Sequence, residues 1–447
     1  MTVGAMLAYK AVLDVSYVTV IGPGDYYALQ PAIIDPMKLG ESYVALLLVA
    51  LSISYRRQSI SVLFLGVTIL LSYVPMLTIY AMRDGDRTLI WATTAFWIVV
   101  VVAVQRLPNI RLTWVQRRAS VNVPLIIYAA MLLVAVIVML QHGAALLDNL
   151  LSTQLDLSNF YANRQEFVAA DLPLNGYYFH WLALVFNPLF MTWAVMRHRY
   201  FSAVLIAVTQ IPIAVFVGQR GYVFSLAFAL ATAWAASRRV PLAVVAAGIG
   251  GTVVAAVLVA VATGHKVVYF FFTGRFLLDA AQLTYYYYDF FTHHPAVPFG
   301  YMIHYYLHLP YPWPYTQSPD YVIGAAYFGQ HLAAVGGLIA DAVMNFGLAG
   351  LVIWAAGLIL LCKVIDAAAW QLSPALAMSA LAMPALSLAN TYSVRVLFTT
   401  GLAWAILLLL LSSRQVYRQS GEAAETAEVI ARATTLAQVP RHAKQTP

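Results

Sequence analysis

Residues 241–263 run 23 positions without a charged side chain. A helix needs roughly 20 mostly apolar residues to cross the hydrocarbon of a bilayer. Scanning for such runs gives twelve candidate spans, approximately 3–21, 40–54, 60–80, 89–104, 123–141, 177–196, 201–217, 222–237, 241–263, 332–361, 373–389 and 396–413. Composition agrees, with 62% of residues apolar, 10% charged and a mean hydropathy of +0.77. A soluble domain is roughly 45–50% apolar and about 25% charged. The expected fold is all-α, a polytopic membrane helix bundle of about 12 transmembrane helices with one large extracytoplasmic loop. Residues 1–418 would form the bundle, and 419–447 a cytoplasmic tail rich in Ala, Glu and Thr, either loosely helical or disordered. Lys10 and Asp14 interrupt the first apolar run and no A-x-A site closes it, so no cleavable signal peptide is expected. The lone Cys362 excludes an intrachain disulfide and a cysteine metal cluster.

The net charge of +7 invites a nucleic-acid partner, but the positions of the charges explain it without one. With the N-terminus in the cytoplasm, the inner side carries Arg56, Arg57, Arg106, Arg111, Arg117, Arg118, Arg197, Arg199, Arg238, Arg239, Lys363, Arg414 and Arg418. The tail adds Arg432, Arg441 and Lys444. The outer side has eight: Lys38, Arg83, Arg87, Arg164, Arg220, Lys266, Arg275 and Arg395. That is the positive-inside pattern. Histidine runs the other way, with His142, His180, His265, His293, His294, His304, His308 and His331 all outside. Polar chemistry is therefore expected on the outer face. Two outer loops could hold it: 142–175, with Asp148, Asp156, Arg164, Glu166 and Asp171, and the larger loop of about 264–331.

The larger loop is aromatic. Residues 264–330 hold twelve of the 28 tyrosines and five of the ten histidines. Rings with one polar tip suit sugar faces, lipid head groups or both. Thr273 to Phe291 reads as a surface helix ended by His293-His294-Pro295. Tyr301–Leu309 reads as a second short helix, with His304 and His308 at i, i+4 on one face. That spacing could hold zinc, but neither a third ligand nor an HEXXH motif is present, so no metal or other cofactor is expected. Either histidine could instead serve as a general base, or simply as an aromatic-belt residue.

Three arginines share one depth. Arg220, in Gly218-Gln219-Arg220-Gly221, lies eighteen residues before Arg238, and Arg395 nineteen before Arg414. At about 1.5 Å per residue both sit near the outer boundary of a ~30 Å hydrocarbon layer. An arginine there faces the bundle or a watery cavity, or snorkels to anchor a hairpin. A guanidinium fork also matches phosphate oxygens bidentately. Arg275 opens an amphipathic stretch in which Arg275, Asp279 and Gln282 share a face, so a plain Arg275–Asp279 ion pair is equally open. After the loop, Gly337, Asp341 and Asn345 fall on one helical face, with Gly347 and Gly350 allowing close packing. Asp341, 22 residues before Lys363, is a catalytic candidate by its depth, or a residue that caps or pairs.

These motifs together resemble the Wzy-type O-antigen or oligosaccharide repeat-unit polymerases. The likeness rests on Tyr17–Gly22 followed by Asp25-Tyr26-Tyr27, on Gly218-Gln219-Arg220-Gly221, and on the proline-rich segment Pro310–Pro314 followed by Asp341, Asn345, Phe346, Gly347 and Gly350. The family often has a basic residue and a Lys-Pro in that segment, where this chain has Tyr311, Trp313 and Tyr315-Thr316-Gln317. The resemblance implies a glycosyltransferase in the bacterial inner membrane, working on the periplasmic face without a metal. It would move a growing glycan from undecaprenyl pyrophosphate onto a new lipid-linked repeat unit. Arg220, Arg275, Arg395 and Asn345 would bind substrate, and His304, His308 or Asp341 would take the acceptor proton. The implied partners are the lipid-linked donor and acceptor, the bilayer and a chain-length regulator. An O-antigen ligase type shares the plan of outer arginines and a large loop. A transporter or flippase predicts internal repeats and mid-membrane polar helices, which the sequence lacks.

Overall fold

The computed structural model describes residues 1–22, 29–54, 59–110, 123–141, 164, 167, 170, 172–219, 221–329, 332–370 and 372–412. Among these residues the chain is nearly all helical and has no strand. Among the described residues nine helical segments are long and apolar enough to cross a membrane: Thr2–Ile21, Ile60–Met82, Arg87–Arg106, Val123–Gln141, Tyr177–Met196, Tyr200–Val217, Pro241–Thr263, Leu338–Ala368 and Ser393–Ser412. The segments at 40–54, 222–237 and 373–389 fold as the shorter helices Pro36–Ser52, Gly221–Ala236 and Pro374–Asn390. The chain is a multi-pass membrane protein, nearly all helical among the described residues. Asp25-Tyr26-Tyr27, most of 142–175, Arg220 and the tail lie outside the described residues.

Local chemistry starts and stops these helices. Asp35, Ser59, Asp86 and Ser373 each accept a hydrogen bond from a backbone N–H in the first turn of the helix that follows. Such caps stabilise a helix start by about 1 kcal/mol. Proline stands in the first turn of Pro36–Ser52, Pro241–Thr263 and Pro374–Asn390, where no N–H is needed. Gly218 and Gly264 end their helices with φ of +66° and +71°, the left-handed stop that glycine adopts at low cost.

Two polar clusters inside the bundle are matched, as a membrane interior favours. Lys10, fully buried, donates to Asp14 at 2.6 Å, and the same carboxylate accepts from Tyr43 and Thr78. Asn187 links Tyr128 to Gln210, which in turn reaches Ser225 and the carbonyls of Ala183 and Tyr222.

Side-chain contacts identify the two ends of the bundle. At one end Lys363 donates to the carbonyls of Val104 and Leu107 at the C-terminus of Arg87–Arg106, where a cation complements the helix dipole. Asp366 accepts there from the backbone and hydroxyl of Ser61. At the opposite end of the same helices lie Arg87 with Glu41, and Asp341 with Ser393.

The aromatic segment folds onto that second end. A π-helical stretch, Phe270–Leu278, passes into the helix Asp279–His293; a π-helical turn, Tyr301–Tyr306, and the helix Pro319–Phe328 follow. Their rings form a small core of their own around Tyr287, Phe290, Phe291, Val297, Tyr301 and Tyr392. Two expectations need correction here. His304 and His308 do not share a helical face, because the helix ends at Tyr306 and His308 follows with φ of +51°. Pro310, which has no N–H and disfavours a helical backbone at Leu309, keeps the helix from resuming. The segment 332–361 is not one unbroken helix: it is helical from Leu338, and a tight turn at Gly347–Ala349 interrupts it. Gly347 has φ of +58°, and a Cβ on Gly350 would collide with the carbonyl of Ala342.

Candidate functional site

A cavity of about 1390 Å³ opens at the end of the bundle away from Lys363. Its polar lining comes from five parts of the chain. His180 and Gln219 stand on one side, Arg275 and Asp279 on another, and Tyr301, Tyr305 and Asp320 follow from the aromatic segment. Asn390 and Arg395 complete the wall from the last two apolar helices, and Arg164 also reaches it. Arg275 and Arg395, 120 residues apart in sequence, therefore meet one space. Arg220 is outside the described residues, but its neighbours Gln219 and Gly221 both line the cavity.

Arg395 is held by its surroundings. Its guanidinium lies 3.5 Å from the carboxylate of Asp320 and donates to the Tyr301 hydroxyl. The rings of Tyr301 and Tyr392 flank it at 5.0 and 5.3 Å. Asp320 is only 2% exposed, and Ser318 Oγ donates to its other oxygen at 2.5 Å. A cation fixed in this way needs little reorganisation to meet an anion.

Arg275 is the exposed counterpart. Its side chain is 63% exposed and pairs with Asp279 at 3.4 Å, so the ion pair and the cavity position coexist. Asp279 is nearly buried at the first turn of its helix. Burial pushes its carboxyl above the usual range, and the neighbouring Arg275 pulls it part of the way back. Among the described residues Arg275 is the only partner its carboxylate has. A carboxylate that is buried, raised in basicity and open to a cavity can exchange a proton with a bound hydroxyl.

The other residues singled out from the sequence stand behind or beside this space. Asp341 does not line it. The Asp341 carboxylate accepts from the Ser393 backbone N–H at 2.8 Å, from Trp354 Nε1 at 3.3 Å and from Asn345 Nδ2 at 3.1 Å. Since Ser393 begins the turn that carries Arg395, Asp341 anchors that turn. Asn345 is also outside the lining; its Oδ1 accepts from the Phe299 N–H and ties the aromatic segment to the Leu338–Phe346 helix. His304 stacks on Trp313 with ring centroids 5.7 Å apart and planes 10° apart, and His308 is exposed beyond the end of its helix.

Asp320 is the residue that the sequence reading missed. Ser318-Pro319-Asp320 carries a local signal, a serine followed by proline at a helix start, but its pairing with Arg395 spans 75 residues and has no sequence signature. Among the described residues no three His, Cys, Asp or Glu side chains gather as a metal site would require. No protein family, curated protein or solved structure matches the chain.

Proposed function

We propose that this protein is a glycosyltransferase that polymerises lipid-pyrophosphate-linked oligosaccharide repeat units, as its resemblance to the Wzy-type polymerases implies. The observation that carries the reading is that Arg275 and Arg395 line one cavity, walled by aromatic rings, at a single end of a membrane bundle. In this reading twelve helices span the inner membrane, the three shorter ones included, and the cavity opens to the periplasm. The positive-inside pattern read from the sequence supports that orientation.

The chemistry follows from charge. An oxygen of the acceptor sugar attacks the anomeric carbon of the donor glycan, forming the new glycosidic bond. The bond from that carbon to the pyrophosphate oxygen breaks, and its electron pair stays on lipid pyrophosphate. Arg395 and Arg275 stabilise that leaving anion, which is what guanidinium forks do best. As Arg275 turns from Asp279 to the anion, Asp279 becomes free to accept the proton of the attacking hydroxyl. Asp341 and Asn345 act from behind, by holding Arg395 and the aromatic segment in place.

The test is genetic. Cells lacking the protein should accumulate single lipid-linked repeat units, and the wild-type gene should restore polymer where Arg395→Gln does not. Full polymer in the deletion strain would contradict the reading. Polymer of normal length that merely fails to reach a second lipid acceptor would point to the ligase type instead.

A further inference from the structure

We infer that the aromatic row from Tyr301 to Trp313 is the track along which the glycan chain leaves the cavity. The inference rests on the functional reading above and adds a binding surface for an uncharged saccharide chain. The rings are continuous. Tyr392 beside Arg395 lies 4.8 Å from Tyr301, Tyr301 lies 5.3 Å from Tyr305, and Tyr305 lies 5.4 Å from Trp313. Trp313 then meets His304 at 5.7 Å, Tyr311 at 6.1 Å and Tyr315 at 6.3 Å. Tyr392 is fully buried and Tyr301 and Tyr305 line the cavity, while Trp313, Tyr311 and His304 are partly exposed. The row thus runs from the cation to the surface.

Its chemistry selects the occupant. Tyr311, Trp313 and Tyr315 alternate with Pro310, Pro312 and Pro314, whose fixed φ stiffens the backbone that presents the rings. The polar tips are tied to the protein's own backbone. Tyr311 donates to the Pro298 carbonyl at 3.1 Å, Trp313 Nε1 to Gln317 at 2.9 Å, and Tyr315 to Pro295 at 2.5 Å. What remains to offer a partner is ring face that the protein's own packing leaves open, which on Trp313 is the side away from the stacked His304. Gly300 lets those rings lie against the chain, since a Cβ there would stand 2.7 Å from Tyr311 and 2.9 Å from Trp313. No Asp, Glu, Lys or Arg occurs between residues 290 and 319. A phosphate-bearing partner would find no counter-charge on this surface. The apolar faces of sugar rings need none, and stack on aromatic faces as other flat surfaces do. The place where the chain departs from the family's basic, Lys-Pro-containing segment is thus where it presents rings.

Product length in proteoliposomes holding the full-length protein and lipid-pyrophosphate-linked repeat units tests this. Trp313→Ala should leave the rate of the first addition near wild type and shorten the mean product about threefold, the scale of losing one stacked ring. Trp313→Phe should restore most of the length. Wild-type lengths from Trp313→Ala and Tyr311→Ala, with the first addition intact, would overturn the track alone. A wild-type protein that adds nothing would instead sink the functional reading, and the track with it. A second measurement needs no turnover: brominated lipids in nanodiscs should quench wild-type and Trp313→Phe fluorescence equally. A Trp313 signal lost to brominated lipid would place the ring in the bilayer and overturn the track.

Discussion

Arg275 and Arg395 divide two tasks that one arginine could not perform together. Arg395, wedged between two tyrosine rings and a buried aspartate, is held in position; Arg275 is mostly exposed and pairs with Asp279. Asp279 then titrates under two opposed influences, burial raising its pKa and Arg275 lowering it. If Asp279 must be ionised to accept the proton, activity falls as pH drops through its raised pKa. The acid limb of the pH–rate profile should therefore lie above the ordinary carboxylate value of 3.8. Arg275→Gln removes the lowering influence, so residual activity should show the limb moved to still higher pH. A limb that Arg275→Gln leaves in place would remove Asp279 from the reaction. The depths expected for Arg220, Arg395 and Asp341 came from helical rise, which converts residue counts into distance. Which residues share a cavity could not be read that way, since that depends on how distant segments pack. Nor could the sequence separate Asp341, which anchors, from Asp279, which opens to the cavity, because both are acids near the same boundary.

Asp341 matters through the turn it anchors. Its carboxylate satisfies the Ser393 N–H at the start of the short helix that presents Arg395. Asp341→Asn keeps a carbonyl oxygen for that N–H and should retain activity within about tenfold of wild type, roughly 1.4 kcal/mol. Asp341→Ala leaves the N–H without its acceptor, a loss of about 1–3 kcal/mol, and should lower the thermal midpoint in detergent as well as the rate. Abolished transfer in Asp341→Asn with an unchanged midpoint would instead make Asp341 the base. The apolar segments were legible as helices because runs of about 20 apolar residues leave little alternative in lipid. The starts were less so: Asp35-Pro36 is a cap followed by a proline at the first helical position, which moves the helix four residues ahead of residue 40. The break at Gly347 and the failure of the helix to resume after Tyr306 came from glycine and proline placed within apolar or aromatic runs, where hydropathy conceals them.

At the scale of the molecule, the orientation of the bundle is expected from the positive-inside pattern of the sequence. Reporter fusions should place Gly143 and Pro295 outside and Ser420 inside if twelve helices span with both termini in the cytoplasm. A cytoplasmic report at Pro295 would invert the bundle and put the cavity on the wrong side for a periplasmic reaction. The central claim, transfer from a lipid pyrophosphate held by two arginines, is tested most directly with purified protein in proteoliposomes given lipid-pyrophosphate-linked oligosaccharide. The account predicts products growing by whole repeat units, with one lipid pyrophosphate released per linkage. It also predicts that Arg395→Lys slows growth by at least about tenfold, because an ammonium cannot reproduce the bidentate fork. No growth, or growth that Arg275→Lys and Arg395→Lys both leave unchanged, would contradict it.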